Sequence, residues 1–284
     1  MISVIIPSYN RESLLARAIK SVVEQSEAIG ELLIIDDGSV DNTRNLVAGV
    51  STGCGIPIRY IHQENRGAAA ARNLGIVRAR GDILCFLDSD DRFVSDKIAI
   101  QGKAMRDNPI SLISHTREIW YRRGVLLNQK RKHQPPNGDV FLQSLAMCVV
   151  GMSTVMIRRE IFERYGMFDE SLPCCEDYDF WLRVAHEQRF LLVDQPLTVK
   201  DGGRPDQLSV QHRLGMDRFR IRSLGNLLAS GVLTDERHSA AWRELRRKCE
   251  IYGKGCIKHG KVEEGNHYLN LPDKYYRSAM ESEG

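Results

Sequence analysis

Leu84-Cys85-Phe86-Leu87-Asp88-Ser89-Asp90-Asp91-Arg92 is an apolar run that ends abruptly in three carboxylates. A short apolar run of this kind reads as a buried strand. Acids delivered at a strand's carboxyl end lie where open α/β sheets bind ligands. Crowded carboxylates repel one another, and a bound cation relieves the repulsion. Hard divalent ions such as Mg2+ take one or two carboxylates together with the phosphates of a substrate. The tripeptide Asp88-Ser89-Asp90 therefore points to a metal that holds a diphosphate. Such a tripeptide arises about once by chance in a chain this long, and the sequence has a second, Asp177-Tyr178-Asp179. A solvated loop or a helix N-terminus would also accommodate either one, so the surrounding pattern has to decide.

The first third of the chain alternates strand and helix. Residues 2–7 form a run rich in β-branched side chains, too short for a buried helix. Leu14, Leu15, Ala18, Ile19, Val22 and Val23 then recur at helical spacing, with Asn10 placed as the N-cap. Residues 32–35 predict a second strand ending in Asp36-Asp37-Gly38-Ser39, and a short helix follows from Asp41 or Asn42. Residues 58–61 predict a third strand, 67–79 an alanine-rich helix, and 83–87 a fourth strand. A further helix spans 95–106, stopped by Asn108-Pro109. Strands separated by helices imply a parallel, doubly wound α/β sheet. Right-handed crossovers place the loops after Pro7, Ile35 and Leu87 along one edge. All three loops carry ligand-type residues: Tyr9 and Asn10, Asp36 and Asp37, and Asp88 to Asp91.

Beyond Ser111 the pattern changes. It predicts a hairpin over 119–127 around Arg123-Gly124, a break at Pro135-Pro136 and a strand over 155–157. Helices over 159–165 and 176–186 and a strand over 190–193 follow, then mostly helix in two or three segments after Asp206. The 284 residues are ordinary for a globular protein, with 42% hydrophobic and 27% charged residues. A net charge of +3 is too small to argue for a nucleic-acid partner. No apolar run approaches the length of a membrane span, and the start has no basic region of a secretory signal. Seven cysteines fit no zinc spacing. Cys85 and Cys148 sit in apolar stretches as small hydrophobes. This usage points to a reducing cytoplasm, and the pair Cys174-Cys175 reads as loop.

Two further residues bear on chemistry. The Tyr9 ring offers a face on which a nucleobase can stack, although a strand-end packing role fits it equally. A carboxylate at the second loop can accept from a base N–H, as uracil N3 donates, and Asp36-Asp37-Gly38-Ser39 also suits a capping turn. A nicotinamide oxidoreductase would need a glycine fingerprint after the first strand, and Pro7-Ser8-Tyr9-Asn10 is not one.

Taken in order, several segments closely resemble the large inverting glycosyltransferase family 2, with its GT-A fold. They are Val4-Ile5-Ile6-Pro7-Ser8-Tyr9-Asn10-Arg11, Ile34-Ile35-Asp36-Asp37-Gly38-Ser39, Asn65-Arg66-Gly67 with Ala71-Arg72-Asn73, and Phe86-Leu87-Asp88-Ser89-Asp90-Asp91. Gly166-Met167-Phe168-Asp169-Glu170 and Glu176-Asp177-Tyr178-Asp179-Phe180-Trp181 complete the set. The resemblance covers roughly residues 1–200. It implies a GT-A domain over 1–205, with a nucleotide-binding half (1–110) and an acceptor half (111–205), and a C-terminal helical extension over 206–284. It also implies that Pro7 and Tyr9 line the base pocket and that Asp37 accepts from the base. Arg66 or Arg72 would face the nucleotide, Asp88 would lie near ribose and metal with Ser89 beside it, and Asp90 would ligate the metal. Asp177 would be the catalytic base, although acids also favour a helix's first turn. His212, after the loop Gly202-Gly203-Arg204-Pro205-Asp206-Gln207, would complete the metal shell or stand exposed on a helix.

The activity implied is a Mn2+- or Mg2+-dependent inverting transfer from a nucleotide-diphospho-sugar, UDP-linked by preference, to the hydroxyl of a glycan or lipid-linked glycan. Bacterial surface polysaccharide is the product class the resemblance suggests, with the enzyme in the cytoplasm, at or near the inner face of the membrane. A polyprenyl-phosphate sugar transferase of the same fold and a catalytically silent sugar-nucleotide-binding module are the alternatives. The basic stretch Arg122, Arg123, Lys130, Arg131 and Lys132 reads as a solvated hairpin or as a contact with anionic lipid.

Overall fold

The computed structural model describes residues 1–51, 55–130, 133–212 and 214–280, and in it the alternating pattern becomes a mostly parallel sheet with helices on both faces. Strand β1 (Ile2–Ser8), helix α1 (Glu12–Val23), strand β2 (Glu31–Asp36), helix α2 (Thr43–Ser51), strand β3 (Ile58–His62), helix α3 (Gly67–Arg78) and strand β4 (Ile83–Phe86) follow the predicted order. Next come β5 (Asp91–Phe93), α4 (Lys97–Asp107), β6 (Ile113–Arg122), β7 (Val125–Leu127), α5 (Phe141–Ala146), β8 (Met156–Arg158), α6 (Glu160–Tyr165), α7 (Glu176–Ala185) and β9 (Leu191–Gly202). The chain ends in α8 (Leu208–Gln211), α9 (Met216–Ala229), α10 (Asp235–Lys258) and α11 (Val262–Met280).

Strand order is β3-β2-β1-β4-β8-β6-β9-β5, with β7 paired to β6. Strands β1 to β4 are mutually parallel, and β8 turns antiparallel between β4 and β6. Pairing of Ser8 with Asp36 levels the carboxyl ends of β1 and β2, and pairing of Ile5 with Phe86 ends β4 beside them, three residues short. The three ligand-type loops therefore open on one edge.

Side chains alternate across β1. Val4 and Ile6 pack with Leu15, Ile19 and Val22 of α1 and with Ile98 and Met105 of α4. Ile5 joins Ala71 and Ile76 of α3, Phe180 and Trp181 of α7, and Leu224 and Leu245 of α9 and α10. The C-terminal helices thus share one core with the helix that carries Asp177.

Three local expectations change. Asp91-Arg92-Phe93, read as loop, is a strand made by antiparallel pairing with β9. Strand β9 runs to Gly202 rather than stopping at Val193. Asn10 does not cap α1, which starts after Arg11 with no side-chain cap. Asn10 instead takes a positive φ of 50°, its Oδ1 accepts from Val40 N–H at 2.8 Å, and its own N–H donates to Ser39 Oγ at 2.9 Å. It staples the first ligand loop to the second.

Lys97 opens α4 fully buried. Its Nζ donates to Gln101 Oε1 at 2.5 Å and to Thr154 O at 3.0 Å. Burial pushes the amine down from 10.5 to about 7. Between those values the unfolded chain binds a proton that the folded chain does not, so stability rises with pH across that window. Wild type should therefore gain stability on Lys97→Met between pH 7 and 10.5, measured as urea midpoints. A pH-independent difference would mean the amine stays charged inside.

Candidate functional site

The turn after β4 gathers the acids. Leu87 N–H donates to Ile5 O, and Asp91 N–H donates to Asp88 O at 2.9 Å, closing the turn. Asp88, Asp90 and Asp91 thereby offer oxygens that all lie within 4.8 Å of one another. Ser153 props the turn from the second half of the chain: its Oγ accepts from Asp88 N–H at 3.0 Å and donates to Asp91 Oδ2 at 2.6 Å. Asp91 is buried, and burial pushes its carboxyl well above the usual range, with Asp88 and Asp90 adding to the rise and Lys200 opposing it. The residue pattern and the family resemblance gave the metal site to Asp88 and Asp90, with His212 as a further ligand. Asp91 is the acid the structure adds, and its place directly after Asp90 was the only signal.

Cations surround this turn. Asp90 Oδ2 accepts from the Arg204 guanidinium and lies 3.5 Å from Arg11 Nη1 and from Gln207 Nε2. Asp206 ties both arginines together, at 3.1 Å from Arg11 Nε and 3.2 Å from Arg204 Nε. Lys200 pairs with Glu118 at 3.3 Å. Burial works against its charge, but Glu118, Asp91 and Asp88 outweigh it and hold the amine well above the usual lysine range.

Arg72 joins this turn to the second half of the chain. It is 5% exposed on α3, and its two terminal nitrogens donate to different acids: Nη2 to Asp88 Oδ1 at 2.7 Å, and Nη1 to Glu176 Oε1. Burial opposes the charge on Asp88, but Arg72 and Lys200 hold its carboxyl below the usual range. Glu176 is pushed up by burial and by the adjacent Asp177, with Arg72 and a backbone hydrogen bond opposing. One residue along, Asn73 Nδ2 donates to Phe168 O and to Glu170 Oε1, both at 2.9 Å, and Asn73 Oδ1 accepts from Phe168 N–H. The Ala71-Arg72-Asn73 and Phe168-Asp169-Glu170 segments are thus two sides of one joint.

Asp177 sits half-buried in the first turn of α7. Cys148 Sγ donates to its Oδ2 at 3.2 Å. Burial and the Asp177 charge push that thiol well above its usual range, so it stays protonated and remains a donor. Cys148 is therefore more than the small hydrophobe expected of it. The second tripeptide divides its roles: Asp179 pairs with Arg183 one turn on, at 2.9 Å.

At the carboxyl ends of β1 and β2, Pro7 is buried and Tyr9 is 47% exposed. Asp37 is buried and accepts three hydrogen bonds: from Gln63 Nε2 at 2.6 Å, Arg66 N–H at 2.9 Å and Gly67 N–H at 2.8 Å. A carboxylate has about four acceptor sites, so one remains for a base. Asp36 takes the structural role, accepting from Ser39 N–H and from the Tyr60 hydroxyl. Of the two candidate arginines, Arg66 is exposed and pairs with Glu170 at 2.6 Å, while Arg72 faces the acids. Ser89 is buried within the turn. His212 stands apart from the acid cluster, its ring edge-on to Phe219 at 6.1 Å. Arg213, Arg131 and Lys132 lie outside the described residues.

Comparison with known proteins decides the family. The pattern of glycosyl transferase family 2 matches residues 3–166. The chain belongs to that family. An uncharacterized family relative, glycosyltransferase RC0461 of Rickettsia conorii, is 40% identical over 203 residues, covering 69% of this chain and 32% of that protein. This chain thus spans about a third of the length of that relative. The Escherichia coli protein WfgD, named as a UDP-Glc:alpha-D-GlcNAc-diphosphoundecaprenol beta-1,3-glucosyltransferase, is 32% identical over 197 residues, covering 68% of this chain and 73% of WfgD. The structure of S. aureus TarS 1-349 in complex with UDP-GlcNAc superposes with a TM-score of 0.73 at 17% identity, covering 95% of this chain and 79% of that one. That likeness confirms the GT-A fold expected of the family.

Removing one partner of a buried charge cluster leaves the others uncompensated. Arg72→Met should cost about 3–5 kcal/mol of stability by denaturant titration, and Glu176→Gln in the same chain should recover part of it. A loss below about 1 kcal/mol, the level of a surface pair, would show that the bridge is not formed.

Proposed function

We propose that this chain is a metal-dependent inverting glycosyltransferase, moving a sugar from a UDP-sugar to a hydroxyl of a lipid-linked glycan. The observation that carries the reading is the Arg72 bridge, which holds the donor-side Asp88 against Glu176, the neighbour of Asp177. The acceptor and nucleotide classes draw support from WfgD, by its name a UDP-glucose enzyme acting on a diphosphoundecaprenol-linked sugar, and from TarS, which holds UDP-GlcNAc. Residues 1–205 would form the transferase domain, with 1–110 binding the donor and 111–205 the acceptor, and 206–284 a helical extension packed on it. No helix among the described residues is long and apolar enough to cross a membrane, which fits a peripheral enzyme working at the inner face of the cytoplasmic membrane in surface-glycan synthesis.

The donor set fits a divalent ion. Three carboxylates converge within 4.8 Å, one of them pushed up by burial and then by its neighbours' charge, and a guanidinium already lies against Asp90. Asp88, Asp90 and Asp91 would hold Mn2+ or Mg2+. Such an ion stabilises charge building on the leaving diphosphate as a Lewis acid. Asp37 would fix the base through its remaining acceptor site, with Tyr9 stacked on the ring.

Asp177 would take the acceptor's proton as its hydroxyl attacks the anomeric carbon. Each Asp177 oxygen has one donor, Tyr178 N–H on Oδ1 and Cys148 Sγ on Oδ2, which fixes the carboxylate's plane and leaves a lone pair free. Attack from the side opposite the diphosphate is a single displacement, so the anomeric centre inverts.

Asp177→Asn should lower kcat about 10²–10⁴-fold while UDP binding, followed by calorimetry, is kept; loss of both together would make Asp177 a folding residue. Arg204 competes with the ion for Asp90. Arg204→Gln should tighten Mn2+ binding about fivefold, the scale of one partly exposed ion pair, read from the paramagnetic signal of free Mn2+ without any substrate. Unchanged affinity would mean the arginine and the ion do not share the site.

A further inference from the structure

Strand β7 is an edge with no cover. Among the described residues it pairs only with the end of β6, at Trp120, Tyr121 and Arg122. Its three residues, Val125, Leu126 and Leu127, are 65%, 58% and 39% exposed. Consecutive exposed apolar residues on an edge strand are an aggregation hazard that proteins normally blunt or cover. Here the protection is cationic. Arg122 and Arg123 precede the strand and Lys130 follows it, all exposed, and none pairs with a carboxylate among the described residues. In sequence, residues 119–138 hold five Lys and Arg and no acid, a formal +5 against +3 for the whole chain, which leaves the remainder at −2.

We propose that β7 and the turn before it dock the protein on an anionic lipid bilayer. Basic residues beside a surface apolar segment combine the two attractions that hold a protein in the lipid headgroup region. Three strand residues span roughly 10 Å, the depth of the headgroup and acyl boundary. Trp120 and Tyr121, paired to Leu127 and Leu126, are ring types enriched at that level. A nucleic acid would satisfy the arginines and leave Val125-Leu126-Leu127 in water. The unbroken run without acids matches a continuous negative surface.

The sheet register links this edge to the acids. Leu127 pairs with Trp120, Trp120 with Lys200, and Lys200 with Asp91. The docking strand and the acid turn thus share one rung, three strand spacings or about 15 Å apart. A lipid-linked acceptor anchored in the same bilayer would meet the site at short reach. The docking itself does not depend on the transferase reading.

The test is co-sedimentation of the full chain with vesicles, either phosphatidylcholine alone or mixed with phosphatidylglycerol, at low and high salt and without nucleotide. Binding is expected only to the mixed vesicles and should weaken with salt. Arg122→Ser with Arg123→Ser should weaken it about 30-fold, roughly fivefold per charge. Val125→Ser with Leu127→Ser should weaken it at least about tenfold. Both variants should keep the wild-type melting temperature and UDP affinity, and Asp177→Asn should sediment as wild type does. Equal binding to neutral vesicles, no binding to either kind, or variants that bind like wild type would overturn the proposal. So would self-association through β7 without vesicle binding.

Discussion

A single buried guanidinium ties the two halves of this chain into one site. Arg72 cannot shed its proton, so the fold must surround it with acids, and it does so from opposite sides: Asp88 from the turn after β4, Glu176 from the start of α7. A lysine could not do the same, because a point charge lacks two divergent donors in fixed geometry. The arrangement sets the distance between the acid turn and Asp177 through two hydrogen bonds rather than through packing alone. The adjacent Asn73 repeats the device with backbone groups of the 168–170 segment. Helix α3 thereby acts as the splint between the acid turn and the start of α7, and Asp37 pins its first turn.

Much of this was legible in the residues. Apolar runs at 2–7, 32–35 and 83–87 are buried on both faces, and their composition alone demands a sheet interior. The acid-rich turn was legible because three carboxylates within four residues repel one another unless a positive charge relieves them. The segments that turned out otherwise owe their structure to partners far along the chain. Asp91-Arg92-Phe93 has no strand pattern; it is extended because β9 offers it a ladder. Residues 194–202 include Asp194 and Pro196, residue types depleted in strands, yet pairing with β6 carries the strand across them through a shift in register.

The site shows the same division. Residue types at Asp88, Asp90 and Asp177 announced acid chemistry, but their counter-charges did not. Arg204 reaches Asp90 across a separation of 114 residues, and no local spacing encodes such a meeting. Cys148 sits in an apolar context that predicts a silent thiol; only the fold turns its S–H toward Asp177. Asn10 looked like a helix cap because it precedes a helix, and it serves the neighbouring loop because that loop presents an unpaired Val40 N–H nearby.

The pairing of Asp90 with Arg204 and Arg11 has a consequence for the life of the protein in a cell. Sites that gather several carboxylates often leave a chain dependent on its ion to fold, so that supply of the metal sets how much protein survives. Here the acid turn brings its own positive charge, from residues that are part of the folded chain. Under the metal-dependent reading proposed above, the molecule would mature and persist while the ion is scarce, and would work again when it returns. Abundance and activity would thereby be separated: the first is written in the sequence, and the second would answer to the surroundings.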